Sequence, residues 1–209
     1  MFDSRTSAGT LLAAHLQKRK VKADIVLGLP RGGVVVAAEI AHTLKLPLDV
    51  VVVKKLGAPH NPELAIGAIT QDGVTYIDQQ LAQSVEANTN YLSNEIERKL
   101  KELQAREQLL RVGRLPLQVK NKRVILVDDG VATGATILAA IQWLKQKQVS
   151  HVLLALPVAP KDSVKKLEQL VDQCVILEKP PDFGAVGQFY KDFREVNEEE
   201  VTKILNPKP

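Results

Sequence analysis

The sequence predicts an α/β protein with a parallel β-sheet core flanked by helices. Continuous apolar segments, such as residues 25–29, 123–127 and 152–158, recur along the chain, and amphipathic helical segments fall between them. Strands apolar on both faces belong in a parallel sheet covered on both sides. Gly- and charge-rich segments follow three of these strands, at 30–33, 54–63 and 128–136, and open α/β sheets bind ligands beyond the carboxyl ends of their strands.

Taken in order, residues 7–20 carry Leu11, Leu12, His15 and Leu16 at helical spacing. Residues 25–29 read as a buried strand ending in Pro30-Arg31-Gly32-Gly33, and 34–44 as a helix. A second, β-branched strand spans 48–53 and runs into Lys54-Lys55. Gly57, Pro59, Asn61 and Pro62 predict a mobile loop over 56–64. Residues 65–70 and 74–77 flank Asp72-Gly73, a hairpin signal.

Residues 79–111 lack Gly and Pro and space Leu92, Ile96, Leu100 and Leu103 by three and four, which predicts one long amphipathic helix. Gly113 and Pro116 end it. Strands are expected at 123–127, 152–158 and 175–177, and helices at 135–147 and 163–171. Asn197 with Glu200 has the spacing of a capping box for a last helix. The expected organisation is one domain over 1–209, with a helical insertion at 79–115 and a small C-terminal hood or tail at 180–209.

Composition excludes some classes. A single cysteine, Cys174, leaves no internal disulfide and suits a reducing, cytoplasmic compartment. His15, His42, His60 and His151 are scattered, so a Cys/His metal site is not expected. The start lacks the pattern of a secretory signal. No apolar run approaches the roughly 20 residues that span a bilayer, so no membrane partner is expected. The net charge of +4 is compatible with nucleic acid or with a small polyanion and decides nothing.

Residues 123–136 place Asp128 and Asp129 between an apolar strand and a Gly/Thr-rich helix start. Thr133, Gly134, Ala135 and Thr136 open that helix, where unpaired N–H groups and the positive dipole end favour phosphate. Gly130 and Gly134 let the main chain turn and approach it closely. The two acids would repel phosphate, so they should face vicinal sugar hydroxyls or a bound cation. A P-loop does not fit, because three residues separate Gly130 from Gly134 and Ala135 follows. The dinucleotide fingerprint fails at Ala132.

Val127-Asp-Asp-Gly-Val-Ala-Thr-Gly-Ala-Thr136 resembles the signature by which type I phosphoribosyltransferases bind phosphoribosyl diphosphate (PRPP). The resemblance implies the type I phosphoribosyltransferase fold. It implies that Asp128 and Asp129 engage the ribose hydroxyls directly or through Mg²⁺ and water, and that Val131, Ala132, Thr133, Gly134, Ala135 and Thr136 wrap the 5′-phosphate. The whole chain, including Leu29-Pro-Arg-Gly-Gly33 and Ala185-Val-Gly-Gln-Phe-Tyr190, is similar to a subgroup whose substrate is not settled.

The same resemblance makes Arg31, Gly32 and Gly33 the pyrophosphate loop, puts Lys54 or Lys55 near the departing pyrophosphate, and makes the loop with His60 and Glu63 a lid. In 6-oxopurine-specific members the position of Ala132 is commonly an Asp, so that route to hypoxanthine or guanine is disfavoured. Glu63 is then the candidate acid/base. Phe183, Phe189 and Tyr190 either stack on a base or anchor the tail, anchoring being the expectation for any single one. Arg5 is a further candidate for the site or a partner subunit.

The expected partners are PRPP and a nitrogenous base or amine. A homodimer is compatible with the sequence. The competing expectation is a regulator that senses PRPP and binds RNA or DNA through the basic segment 98–123; a sugar-phosphate hydrolase lacks a visible nucleophile.

Overall fold

The structure, a computed structural model, describes residues 1–207. Its first half contains α1 (Arg5–Lys18), β1 (Ile25–Gly28), α2 (Gly32–Leu44), β2 (Leu48–Val50), β3 (Val53–Ala58), β4 (Asn61–Thr70) and β5 (Thr75–Ile77). Helices α3 (Gln79–Ser84) and α4 (Thr89–Arg111) follow. Then come β6 (Arg123–Val127), α5 (Ala135–Gln146), β7 (His151–Val158), α6 (Lys161–Glu168), β8 (Gln173–Glu178), a 3₁₀ turn at Val186–Phe189 and α7 (Glu198–Leu205).

Five strands pair in parallel in the order β2-β1-β6-β7-β8. The apolar runs are central to this sheet, as their lack of alternation requires. Leu12 and Leu16 of α1 and Ile40 of α2 cover Val26, Ile125 and Val127 on one face. Ile137, Ile141 and Leu144 of α5 cover Leu126, Leu154 and Leu156 on the other. Each such side chain taken fully out of water contributes about 1.5–3 kcal/mol. The connections after β1 and β6 thus cross opposite faces, and a crevice opens between the carboxyl ends of these two neighbouring strands.

Two expectations fail around residue 50. The strand expected over 48–53 is divided: β2 joins the parallel sheet, while β3 starts a separate antiparallel sheet in the order β3-β4-β5. At the crossing, Val51 N–H donates to the Gly28 carbonyl and Val52 N–H to Gln71 Oε1. The expected loop over 56–64 is instead largely the arms of a hairpin turning at Pro59-His60. Its turn-forming residues serve an irregular strand pair. The register shifts on both sides of Gly57, where a Cβ would come within 2.5 Å of the Pro62 carbonyl oxygen. The β4–β5 hairpin forms as expected, with Gly73 at φ +83° in its turn.

The long helix expected over 79–111 is two helices. Asn88 caps the second by accepting from Tyr91 N–H at 2.9 Å, after Glu86 has left the helical region at φ +56°. Asn competes with the helix as a cap and needs no Gly or Pro to break it. At the other end of the chain, Asn197 and Glu200 form the expected capping box. Among the described residues no helix is long and apolar enough to cross a membrane.

Candidate active site

The crevice between β1 and β6 is a cavity of about 290 Å³ bordered by Arg31, Gly32, Asp128, Asp129 and Thr136. The loop after β1 and the acids after β6 could not approach so closely with ordinary side chains. A Cβ on Gly32 would lie 1.9 Å from Asp129 Oδ2, and one on Gly33 2.8 Å from Asp128 Oδ1. The Pro30–Arg31 peptide is cis.

Two helices begin here, α2 after β1 and α5 after β6. Helices α1, α3, α4 and α7 are capped by the side chains of Ser4, Asp78, Asn88 and Asn197. Neither α2 nor α5 has a side-chain cap, and α6 lacks one too. Gly134 occupies the cap position of α5 at φ +84°, a conformation glycine adopts without penalty. Ala132 and Thr133 are exposed beside it. Uncapped first-turn N–H groups and two positive dipole ends thus flank a pair of carboxylates. Gly130 is packed instead: a Cβ there would meet Val186 Cγ1 at 2.5 Å.

The acids are electrostatically tense. Burial, and then the neighbouring Asp129 charge, push the Asp128 carboxyl well above the usual carboxylate range. Its Oδ1 accepts from Asp129 N–H at 2.9 Å. Burial also raises Asp129, against the opposing pull of Arg5, whose Nε donates to Asp129 Oδ2 at 2.6 Å. Two adjacent carboxylates short of compensation are hard oxygen donors that suit a divalent cation such as Mg²⁺. Among the described residues no cluster of three or more His, Cys, Asp or Glu could hold a metal. An ion bound here would complete its shell with water or ligand oxygens.

The termini close the site from outside. Phe2 N–H donates to the Phe189 carbonyl at 2.7 Å, and Lys191 N–H to the Phe2 carbonyl at 2.8 Å. Tyr190 is buried against Phe2 and Phe193, and its hydroxyl donates to the Asp129 carbonyl at 2.5 Å. Burial, and secondarily the Asp129 charge, hold that phenol in its neutral form by raising its pKa. Phe183 stacks on Phe189 at 5.1 Å. Arg5 sits 3.7 Å over the Phe193 ring and donates through Nη1 to the Arg194 carbonyl at 2.8 Å. The C-terminal aromatics therefore anchor the tail in this structure.

Of the other sequence-derived candidates, Arg31 reaches the cavity and pairs with Glu195. Lys54 lies on β3 and pairs with Glu102 of α4, while Lys55 is exposed; neither borders the cavity, although Val53 does. His60 and Glu63 are exposed at the tip of the β3–β4 hairpin, away from the cavity lining. Glu195 and Val196 border the cavity without having been singled out in the sequence. Their only signal is nonlocal, since they lie far along the chain from both loops. A wider groove of about 1010 Å³ at the amino ends of the strands, beside Arg19, Lys22 and His151, has no acid and no helix start in its lining.

Comparison with known proteins agrees with this geometry. Residues 7–194 match the model of the phosphoribosyl transferase domain. The crystal structure of TT1426 from Thermus thermophilus superposes with a TM-score of 0.83 and 43% identity, covering 98% of this chain and 97% of that one. Rv0571c of Mycobacterium tuberculosis, which carries a phosphoribosyl transferase name, is 41% identical over 206 residues, 99% of this chain and 46% of that protein. The uracil phosphoribosyltransferase of Streptococcus pyogenes is 26% identical over 126 residues, 60% of this chain and 56% of that one. The chain spans about half the length of the curated relatives it matches. An α/β core with a Gly-rich loop and an acid pair at its switch point, and a family match over most of its length, lead to one assignment: the chain belongs to the phosphoribosyl transferase domain family.

Proposed function

We propose that the chain binds PRPP at the β1–β6 crevice with Mg²⁺ and transfers its phosphoribosyl group to a nitrogenous base or amine, releasing pyrophosphate. The observation that carries this is the meeting of two uncapped helix starts around Asp128 and Asp129. Anionic groups at the two ends of the ligand would take the helix starts, and sugar hydroxyls the acids.

In this scheme Val131 to Thr136 hold the 5′-phosphate, and Asp128 and Asp129 hold the ribose hydroxyls or the cation. The amides of Gly32 and Gly33 and the Arg31 guanidinium receive the diphosphate once Arg31 leaves Glu195. The nucleophilic nitrogen forms its bond to C1′ as the C1′–oxygen bond breaks, and the electron pair leaves with pyrophosphate. Mg²⁺, when bound, supplies charge neutralisation to the diphosphate. Lys54 and Lys55 add positive charge where the leaving group develops its own, if the β3–β4 hairpin folds toward the crevice. Glu63, at the tip of that hairpin, takes the proton lost by the acceptor. Ala132 has no acidic group, so an acidic contact to a purine ring does not come from that position.

The basic side chains that would favour a nucleic-acid-binding regulator are largely paired within the chain. Arg98 is held by Glu95 and Glu102, Lys101 by Glu97, Arg111 by Asp49 and Arg123 by Asp24. This favours catalysis as the first reading. The test is pyrophosphate release from PRPP and Mg²⁺ across a panel of bases and amines. Release with at least one acceptor, abolished in Asp129→Asn, is the expected result; no release with any acceptor refutes the transferase reading.

A further inference from the structure

The tail that closes the crevice brings a third carboxylate to it. Glu195 forms an ion pair with Arg31, and both residues line the cavity. The tail's backbone is fixed here without that pair. On one side Arg5 donates to the Arg194 carbonyl, and Arg194 is itself held by Glu200. On the other, Val196 is 5% exposed and belongs to the apolar cluster that includes Val34 of α2 and Val201 and Leu205 of α7. The Glu195 side chain, by contrast, is 77% exposed. An ion pair so open to water is screened and adds little stability. Holding the tail therefore does not account for it.

The pair matters for the charge of the cavity. Two guanidinium groups, of Arg5 and Arg31, face three carboxylates, of Asp128, Asp129 and Glu195. Arg5 is committed to Asp129 and to the Arg194 carbonyl. Arg31 is the cation left for an incoming anion, and it has no second acidic partner among the described residues. Glu195 takes that guanidinium, but no side chain caps the start of α2 beside it. Half of an anion receptor is thus filled from within and half is open. A diphosphate has enough oxygens to take the first-turn amides and the guanidinium together, whereas the carboxylate holds one of them.

We infer that Glu195 is an internal competitor for Arg31: its carboxylate holds the guanidinium that the ligand's diphosphate would engage, and it weakens binding of PRPP and of the pyrophosphate product alike. The inference rests on the reading that the crevice binds PRPP. Its consequence is selective. A ligand with an anionic group at C1′ must displace Glu195, while ribose 5-phosphate, which has none there, leaves the pair in place. When pyrophosphate departs the pair re-forms, which favours product release.

Calorimetric titrations of PRPP, pyrophosphate and ribose 5-phosphate, each with Mg²⁺, into the intact wild type, Glu195→Gln and Glu195→Ala test it. Both variants alter an exposed side chain and are expected to keep the wild-type circular dichroism spectrum. The dissociation constants of PRPP and pyrophosphate are expected to fall about two- to fivefold, the range set by an exposed ion pair, with that of ribose 5-phosphate unchanged. Unchanged or weaker binding of PRPP and pyrophosphate in the folded variants, or an equal tightening of ribose 5-phosphate, overturns the inference and leaves PRPP binding standing. A wild type that binds neither PRPP nor pyrophosphate overturns both.

Discussion

Arg5 and Asp129, 124 residues apart in sequence, meet at 2.6 Å between Nε and Oδ2. The N-terminal helix thereby supplies the counter-charge to one member of the acid pair. The same guanidinium ties the C-terminal tail through Phe193 and the Arg194 carbonyl. Arg5→Met keeps the apolar stem and deletes these bonds. A hydrogen bond to a charged group contributes about 1.5–3 kcal/mol. For a chain of this size each kcal/mol moves Tm by about 2–4 °C. A loss of several degrees is expected by circular dichroism; an unchanged Tm would mean the clamp adds no stability.

Gly32 is the position where the loop after β1 has no room for a side chain, its Cβ direction being filled by Asp129 Oδ2 and Arg5 Nε. Gly32→Ala must push apart the loop and the acids. Overpacking of this kind costs about 1–3 kcal/mol. The variant is expected to fold with reduced stability in urea and to bind PRPP at least tenfold more weakly by calorimetry. Wild-type affinity in this variant would show that the close approach is not needed for the ligand.

Asp128 makes the protein's stability depend on pH with a definite sign. Its folded-state pKa is raised, by burial first and by Asp129 second, so the folded state holds the proton more tightly than the unfolded chain does. The stabilisation is complete below the ordinary carboxylate value, about 3.9, and is lost as pH rises toward the raised one. Asp128→Asn cannot ionise and can still accept from Asp129 N–H. Without divalent cations it is expected to melt above the wild type at pH 7, with the difference closing as pH falls from the raised value toward about 4. A gap in Tm that stays constant across pH would contradict the assigned cause.

Tyr190 contributes one isolated hydroxyl to the site, donated to the Asp129 carbonyl. Tyr190→Phe retains the ring contacts with Phe2 and Phe193. The expected loss is about 1 kcal/mol in urea unfolding, the usual net worth of such a bond. A much larger loss would mean that the ring, too, had moved.

The parallel core was legible because its evidence is local. Continuous apolar runs mark β1, β6 and β7, and the acids after β6 lie within a few residues of the turn and helix start that surround them. The boundary between β2 and β3 was not legible. Val50 to Val53 form an unbroken apolar run, and the change of sheet depends on Gln71, far along the chain. The turn-forming residues at 57–62 pointed to a loop because a bulged hairpin uses the same Gly and Pro. Of the site, the two loops at the crevice were legible. Glu195 was not, nor was the pairing of Arg5 with Asp129, since each depends on where the chain's ends meet. The pairing of Lys54 with Glu102 likewise depends on how α4 packs over β3.

The central claim is that the acid pair and the two helix starts form a receptor for a phosphorylated ribose. Calorimetric titration of PRPP, with and without Mg²⁺, into the wild type and into an Asp128→Asn, Asp129→Asn double variant tests it most directly. Mg²⁺-dependent binding to the wild type, weakened at least tenfold in the double variant, is the predicted result; no binding to the wild type, or equal binding to both proteins, would contradict it.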